Sequence, residues 1–157
     1  MRFHTINKSV VVKTSLEEAW EFIRNPENLN LITPADMDFR IVSDLPDKMF
    51  NGLTIAYRVK IPVLGITDWL TEIKHIREPF TFVDEQRVGP YKLWYHYHAL
   101  EEVDDGVKII DKVHYQLPFG ILGHLAHLLF VRRTLMKIFD FRNIKFKELL
   151  ENKEQSK

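Results

Sequence analysis

Two histidines and two aspartates are the side chains with the greatest chemical capacity in this sequence. His96 and His98 are two positions apart, and Asp84 and Asp111 lie in neighbouring stretches with the same alternating pattern. Residues two apart in a strand share one face, so the two histidines point in the same direction. Together with an aspartate they could hydrogen-bond to one another, orient a polar ligand, move protons, or complete a two-His-one-carboxylate metal site.

The composition and the motifs of the sequence exclude several other kinds of functional site. The 157 residues include no cysteine, which excludes disulfides, thiolate metal sites and a cysteine nucleophile. Lysine plus arginine equals aspartate plus glutamate at 22 each, so no net field favours nucleic acid. No nucleophile elbow, phosphate-binding loop or dinucleotide fingerprint occurs. The sequence predicts neither a signal peptide nor a transmembrane segment, and the expected location is the cytoplasm.

Alternating β-branched and aromatic residues predict seven strands. The predicted strands are 2–13, 37–43, 53–61, 65–76, 80–86, 92–102 and 107–117, with turn residues between them. Two short helices are predicted after the first strand, because Ser15 and Glu18 form a capping box and Asn25-Pro26 can start a second helix. Consecutive strands at this spacing favour an antiparallel meander.

A single long helix is predicted at the C-terminal end. Roughly thirty residues follow Gly120 with no proline, and with no glycine after Gly123, which corresponds to ~45 Å of helix. The predicted class is therefore α+β, with a curved antiparallel sheet of about seven strands wrapped around that helix. The space between sheet and helix is suited to a small apolar ligand. We expect one ligand-binding domain over residues 1–150 and a flexible polar tail over residues 151–157.

The long helix has one stripe of mostly apolar residues. At roughly 100° per residue, this stripe contains Leu125, Leu128, Leu129, Arg132, Leu135, Met136, Phe139, Asn143, Phe146 and Leu150. Most of the stripe is expected to be core, interrupted by Arg132 and Asn143. Arg132 either extends its charge to the edge of the sheet or pairs with an aspartate or an acidic ligand head group. Basic residues elsewhere on the helix are compatible with a transient contact with an anionic membrane surface.

One long motif resembles a known superfamily. It reads Phe82-x-Asp84-x-Gln86-x-x-Gly89-Pro90-Tyr91-x-x-Trp94-x-His96-x-His98, followed by Asp111-x-Val113-x-Tyr115-x-Leu117-Pro118-Phe119-Gly120. This pattern is similar to the START-like (SRPBCC) ligand-binding superfamily, in particular a bacterial branch sometimes labelled cell division inhibitor-like, and the similarity extends over the whole chain. It implies the helix-grip fold. Its members bind lipids, sterols, quinones, polyketides or plant hormones, and a few catalyse cyclisations.

The resemblance also fixes the direction of the sixth predicted strand. Period two alone allows either Trp94, His96 and His98 or the opposite row, Tyr95 and Tyr97, to face the concave side, and the resemblance selects the first. The predicted ligand-binding set is Trp69, Phe82, Asp84, Gln86, Trp94, His96, His98, Asp111, Tyr115, Arg132, Met136, Phe139 and Asn143.

The predicted function is non-catalytic binding or transport of a hydrophobic or amphiphilic small molecule, such as a lipid, a quinone, or a sterol-like or polyketide-like compound. No catalytic residue, metal ion or cofactor is assigned. One alternative is a cyclase or isomerase that uses the inward histidines and aspartates as acid and base. Another is a protein-interaction module linked to cell division. The sequence leaves the ligand and the oligomeric state open.

Overall fold

A seven-stranded antiparallel sheet is the main element of the structure. The computed structural model describes residues 3–62 and 64–151. The strands are β1 (His4–Val12), β2 (Arg40–Ile41), β3 (Thr54–Ile61), β4 (Gly65–Arg77), β5 (Thr81–Val88), β6 (Leu93–Val103) and β7 (Gly106–Gln116). Their order in space is β1-β7-β6-β5-β4-β3-β2, so β1 pairs with β7 and the other strands follow one another as a meander. Register shifts between β4 and β5 bend the sheet.

The helices lie where the sequence predicts them. Helix α1 (Leu16–Ile23) is capped by Ser15, whose Oγ accepts a hydrogen bond from the backbone N–H of Glu18 at 3.2 Å. Two 3₁₀ turns follow, at Pro26–Asn30 and Ala35–Met37. The C-terminal helical segment contains α2 (Gly120–Ala126), a π turn (His127–Val131) and α3 (Arg132–Glu151). The predicted helix-grip architecture is therefore confirmed.

The core lies between the concave face of the sheet and the inner face of α3. Leu135, Phe139, Phe146 and Leu150 are buried along α3, and every second residue of β7 from Val107 to Tyr115 is buried. The alternation in β7 arises because one face of the strand faces α3. Aromatic rings connect the layers, since Phe146 lies edge-on to Phe22 on α1, with 6.1 Å between ring centroids.

The second predicted strand is much shorter than expected. Residues 37–43 were predicted as a strand, but the ladder includes Arg40–Ile41 alone. Asp38 adopts a left-handed conformation with φ of 41°, which ends the preceding turn and interrupts an extended run. Further on, the carbonyl oxygen of Ala56 accepts from the N–H groups of both Val42 and Ser43, and its N–H donates to Ser43 Oγ, so the regular ladder is not continued. The other six strands begin and end within two residues of their predicted bounds.

The first half of the C-terminal helical segment faces outward, contrary to prediction. Leu125, Leu128 and Leu129 were expected in the core but are at least 51% exposed. Among residues 120–131, Gly123 and His127 are the buried ones. A Cβ on Gly123 would lie 2.0 Å from the carbonyl oxygen of Pro118, so this glycine allows the helix to rest directly on the backbone. Because Gly123 and His127 occupy the inner side, the leucines point away from it.

In the part of the chain that the structure describes, no helix is long and apolar enough to span a membrane. Glu151 is the last described residue of α3, and the remainder of the predicted tail, 152–157, lies outside the described residues.

Candidate functional site

A cavity of about 190 Å³ separates the sheet from α3. Its wall is formed by the concave faces of β3 to β6, by residues 22–39, and by the helical segment from Phe130 to Phe146. Most lining side chains are aliphatic or aromatic. Two lining residues, Asn25 and Pro62, are exposed, so the cavity reaches the surface of the protein.

Two histidines and two aspartates form a closed network at one side of this cavity. His96 contacts Asp84 Oδ2 through Nδ1 at 3.1 Å and Asp111 Oδ1 through Nε2 at 2.7 Å. His98 bridges the same two oxygens, with Nε2 at 2.8 Å from Asp84 and Nδ1 at 3.2 Å from Asp111. The strands impose this arrangement, because in the ladders Asp84 is paired with His96 and Asp111 with His98. We call these four residues the His/Asp network.

Burial and charge act in opposite directions on the carboxyl groups of the network. Burial by itself would raise the pKa of Asp84, but the charge of His96 and hydrogen bonds from His96 and His98 lower it well below its usual range. The pKa of Asp111 is lowered in the same way, with Arg142 contributing. Both aspartates are therefore ionised at neutral pH.

The same interactions favour protonated His96. Burial would lower the pKa of this imidazole, but the charge of Asp84 and hydrogen bonds to both carboxylates raise it above 6.5. An imidazolium has two N–H groups and can donate to both aspartates, whereas a neutral imidazole can donate to one. The charges of His96 and Arg142 then balance those of the two aspartates.

Arg142 connects the network to the cavity. It is buried on α3, lines the cavity, and places Nη1 at 3.6 Å from Asp111 Oδ1. Its guanidinium lies 5.0 Å from the ring centre of Phe139. The Nε of Arg142 and the indole Nε1 of Trp69 are buried and have no hydrogen-bond partner among residues 3–62 and 64–151. These two donors therefore retain hydrogen-bonding capacity in an apolar wall.

The network does not need a metal ion to be satisfied. Ligand atoms of Asp84, His96 and His98 lie within 4.8 Å of one another, which is close enough to suggest a site. However, all four imidazole nitrogens already contact carboxylate oxygens. A cation would have to displace those contacts next to the positive charge of Arg142, so the network fits a hydrogen-bonded cluster better than a metal centre.

The overall architecture matches solved structures of low sequence identity. A START superfamily protein from Mycobacterium smegmatis aligns with a TM-score of 0.68 at 10% identity, covering 95% of this chain and 98% of that one. The di-domain ARO/CYC StfQ of the steffimycin biosynthetic pathway gives 0.69 at 12% identity, covering 98% of this chain and 52% of the other. Ara h 8.0201 gives 0.57 at 16% identity, covering 90% and 96%.

The chain has the START-like helix-grip fold. This agrees with the resemblance found in the sequence. No protein-family model matches the chain, and no curated protein matches it. At these identities the structural matches define the fold, and the site has to be interpreted from its own geometry.

The START-like cavity contains about half of the predicted ligand-binding residues. Its wall includes Trp69, Phe82, Asp84, Trp94, His96, His98 and Phe139. Asp111 and Tyr115 are also buried, as their strand phase predicts, but they lie behind the wall: Asp111 supports the two histidines, and Tyr115 Oη is hydrogen-bonded to His127 Nε2 at 2.9 Å.

Four predicted ligand-binding residues have other positions. Gln86 donates to the carbonyl oxygen of Tyr91 at 2.6 Å and so closes the turn after β5. Met136 packs beside the core, outside the cavity wall. Asn143 Nδ2 donates to the carbonyl oxygen of Ser9 at 3.4 Å, which ties α3 to β1. Arg132 is exposed. In the helical turns before it, Gly123 and His127 occupy the inner side, and Arg132 points away from that side.

Sequence reasoning missed Arg142, Tyr57 and Thr71. Leu135 is buried and so marks the inner side of the helix. Around an ideal helix, the direction of Arg142 differs from that of Leu135 by about 20°, whereas the direction of Asn143 differs by about 80°. The helical period therefore contained a signal for Arg142. Tyr57 and Thr71 line the cavity on β3 and β4. Burial and the charge of Asp84 raise the pKa of Tyr57 well above its usual value, so the phenol stays protonated beside the network.

Proposed function

We propose that this protein binds a hydrophobic or amphiphilic small molecule in the cavity between the sheet and α3, without a chemical step. The observation that carries the proposal is an apolar cavity whose wall also includes part of a charged network and two residues, Trp69 and Arg142, with unsatisfied buried donors. Such a wall is complementary to a molecule with an apolar body and one polar end.

The size of the cavity favours a compact ligand. Drug-sized molecules occupy sites of roughly 300–1,000 Å³, and an engineered cavity of about 150 Å³ accommodates benzene. At about 190 Å³, the space suits a ring system of one or two rings, such as a quinone head or a small aromatic acid. A longer tail would leave the cavity where its wall reaches the surface, near Asn25 and Pro62.

The chemistry of the wall favours a hydrogen-bond acceptor on the ligand. Arg142 Nε and Trp69 Nε1 are donors, and neither can accept a hydrogen bond. A carbonyl or carboxylate oxygen would satisfy a donor that is otherwise buried without a partner. Leaving such a donor unsatisfied costs about 1–3 kcal/mol, and that cost is removed on binding.

Native mass spectrometry of protein purified from its own host tests this proposal. We expect one small organic molecule per chain in the wild-type protein. Ile138→Trp, which adds bulk to a side chain in the cavity wall, is expected to weaken ligand affinity ~5- to 150-fold and so to lower the occupancy, because overpacking opposes binding by about 1–3 kcal/mol.

Ile144→Trp is the matched control, since it makes the same substitution at an exposed position of the same helix. It should retain the ligand. Wild-type protein without any bound molecule, or equal occupancy in both variants, would contradict the proposal.

We further propose that the protein exchanges ligand at an anionic membrane surface. Six large apolar residues form what we call the outer apolar face: Phe119, Ile121, Leu122, Leu125, Leu128 and Leu129, between 51% and 87% exposed. The face is followed by exposed Arg132 and Arg133. Phe130 and Val131, which follow it directly, line the cavity. Apolar side chains next to cations match the interface of an anionic bilayer.

Sedimentation with lipid vesicles tests the membrane contact. Wild-type protein is expected to bind vesicles that contain anionic phosphatidylserine more strongly than neutral phosphatidylcholine vesicles. The double substitution Leu125→Glu with Leu128→Glu should abolish most of this binding, because burying one leucine is worth about 1.5–3 kcal/mol.

Ile144→Glu, at an exposed position on α3, is the control and should bind like wild type. Equal binding of the double variant would contradict a membrane role. A vesicle-independent dimer that this variant disrupts would assign the face to a second copy of the chain instead.

A cyclase or isomerase is the second candidate, because His96, His98 and Asp84 line the cavity and could move a proton on a bound ketone. The structurally similar StfQ is named as a di-domain ARO/CYC. Turnover of the co-purified molecule by wild-type protein, lost in His98→Asn, would favour this alternative over simple binding.

A further inference from the structure

A second cluster of three histidines lies outside the cavity. His4 stands at the start of β1, His124 on α2 and His127 in the π turn. One ring nitrogen from each lies within 4.8 Å of the other two. The three residues meet because α2 returns across the end of β1, with Gly123 resting on the backbone at Pro118.

Two nitrogens of this cluster have unused hydrogen-bonding capacity. The Nδ1 atoms of His124 and His127 are buried, and neither finds a hydrogen-bond partner among the described residues. His127 as a whole is 6% exposed. The rings of His4 and His127 stack at 3.5 Å with an interplanar angle of 14°. Stacking involves the face of the His127 ring and leaves its Nδ1, at the ring edge, without a hydrogen-bond partner among the described residues.

Tyr115 holds His127 from the other side. Its hydroxyl lies 2.9 Å from His127 Nε2 and is fully enclosed, since Tyr115 is 1% exposed. A metal-bound histidine usually donates its second N–H to an oxygen acceptor, which fixes the ring and its tautomer. In the tautomer whose Nε2–H donates to Tyr115 Oη, the lone pair of His127 is on Nδ1, the atom without a partner among the described residues.

The cluster is accessible from the surface. A groove that includes His4, Lys92, Gln116, Phe119 and His124 in its lining runs along this end of the molecule, and His127 lies beneath it. A hydrated cation can therefore approach His4 and His124 without entering the ligand cavity, and it reaches the buried Nδ1 of His127 as the rings rotate apart.

We propose that His4, His124 and His127 bind one divalent transition metal ion of the zinc type, and so attach the start of the C-terminal helical segment to β1. Three imidazoles without a carboxylate favour Zn²⁺ over Mg²⁺ or Ca²⁺, which prefer oxygen ligands. Zn–N bonds of about 2.0–2.1 Å require the parallel rings to rotate apart. A fourth position is left for water. This proposal is independent of the ligand cavity.

The test uses the full chain without an affinity tag, stripped with a chelator and titrated with ZnCl₂ in an isothermal calorimeter. One Zn²⁺ per chain is expected, with a rise in the melting temperature that EDTA reverses. Co²⁺ should give the visible absorption of a four-coordinate site. His4→Ala and His124→Ala are each expected to weaken Zn²⁺ binding more than ~10-fold, and Tyr115→Phe to weaken it ~10-fold by loosening His127.

His75→Ala, at an exposed position far along the chain on β4, is the matched control and should bind as wild type does. Absence of stoichiometric binding, or undiminished binding in both His4→Ala and His124→Ala, would overturn the proposal. Binding that survives these two substitutions and is lost in His96→Ala would place the ion in the His/Asp network and would equally overturn it.

Discussion

Replacing Asp111 with asparagine is expected to lower the free energy of unfolding by about 3–5 kcal/mol, as is typical when one partner of a buried ion pair is removed. Asp111 is 1% exposed and faces His96, His98 and Arg142. Asparagine retains the shape but not the charge, so the positive charges of His96 and Arg142 stay buried with less compensation. Urea denaturation at pH 5.5 measures the effect.

Asp68→Asn is the control for this substitution. Asp68 forms an exposed ion pair with Arg58 on the same sheet, with side chains 78% and 60% exposed. Exposed pairs contribute about 0–1 kcal/mol, so this variant should be close to wild type. A loss below about 1 kcal/mol for Asp111→Asn would contradict the network as a stabilising element.

The loss in Asp111→Asn is also expected to depend on pH. The raised pKa of His96 adds stability that is complete below 6.5 and is lost as the pH rises through the folded value. The lowered pKa of Asp111 adds stability that is present above 3.8 and is lost as the pH falls through the folded value. The difference in the free energy of unfolding between wild type and Asp111→Asn should therefore be largest between pH 3.8 and pH 6.5. A difference that does not change with pH would contradict this account.

The second large effect concerns ligand affinity. Arg142→Met is expected to weaken binding of a small aromatic carboxylate ~10- to 100-fold, because a hydrogen bond from a charged group contributes about 1.5–3 kcal/mol. Methionine retains the apolar length of the side chain and removes the charge. 2-Naphthoate is a suitable probe, since its two rings suit the compact cavity, and quenching of Trp69 and Trp94 fluorescence would report its binding.

Arg132→Met removes the same charge from an exposed position of the same helix. The loss of affinity for 2-naphthoate in Arg132→Met should be at least ~10-fold smaller than the loss in Arg142→Met. Equal losses in the two variants would show that binding depends on the overall charge of the helix. An unfolding curve for each variant separates affinity from stability.

Local patterns in the sequence determine the elements of this protein. The alternation of β7 from Val107 to Tyr115 predicted which side chains are buried, because period two is a property of the strand itself. The serine cap at Ser15 was predicted for the same kind of reason. Gly106 has φ of 132° at the turn between β6 and β7, which favours glycine.

The tertiary structure decides which of several permitted faces is used. The predicted helical stripe turned Arg132 and Asn143 toward the sheet, whereas packing places Arg142 in the cavity wall instead. Gly123 and the π turn place Leu125 on the outside, although its spacing is compatible with core. These outcomes depend on how the helix is rotated against the sheet, a relation that local sequence periodicity does not contain.

The two polar clusters also separate what local sequence patterns determine from what tertiary packing decides. Period two and the family resemblance placed His96 and His98 on the inner face, but only the strand registers show that each bridges both aspartates. His4 meets His124 and His127 across more than a hundred residues of sequence, because α2 folds back over the end of β1. The sequence by itself determined the strands, the helices and the inward rows. The pairing of distant side chains is a property of the folded chain, since it depends on register and packing.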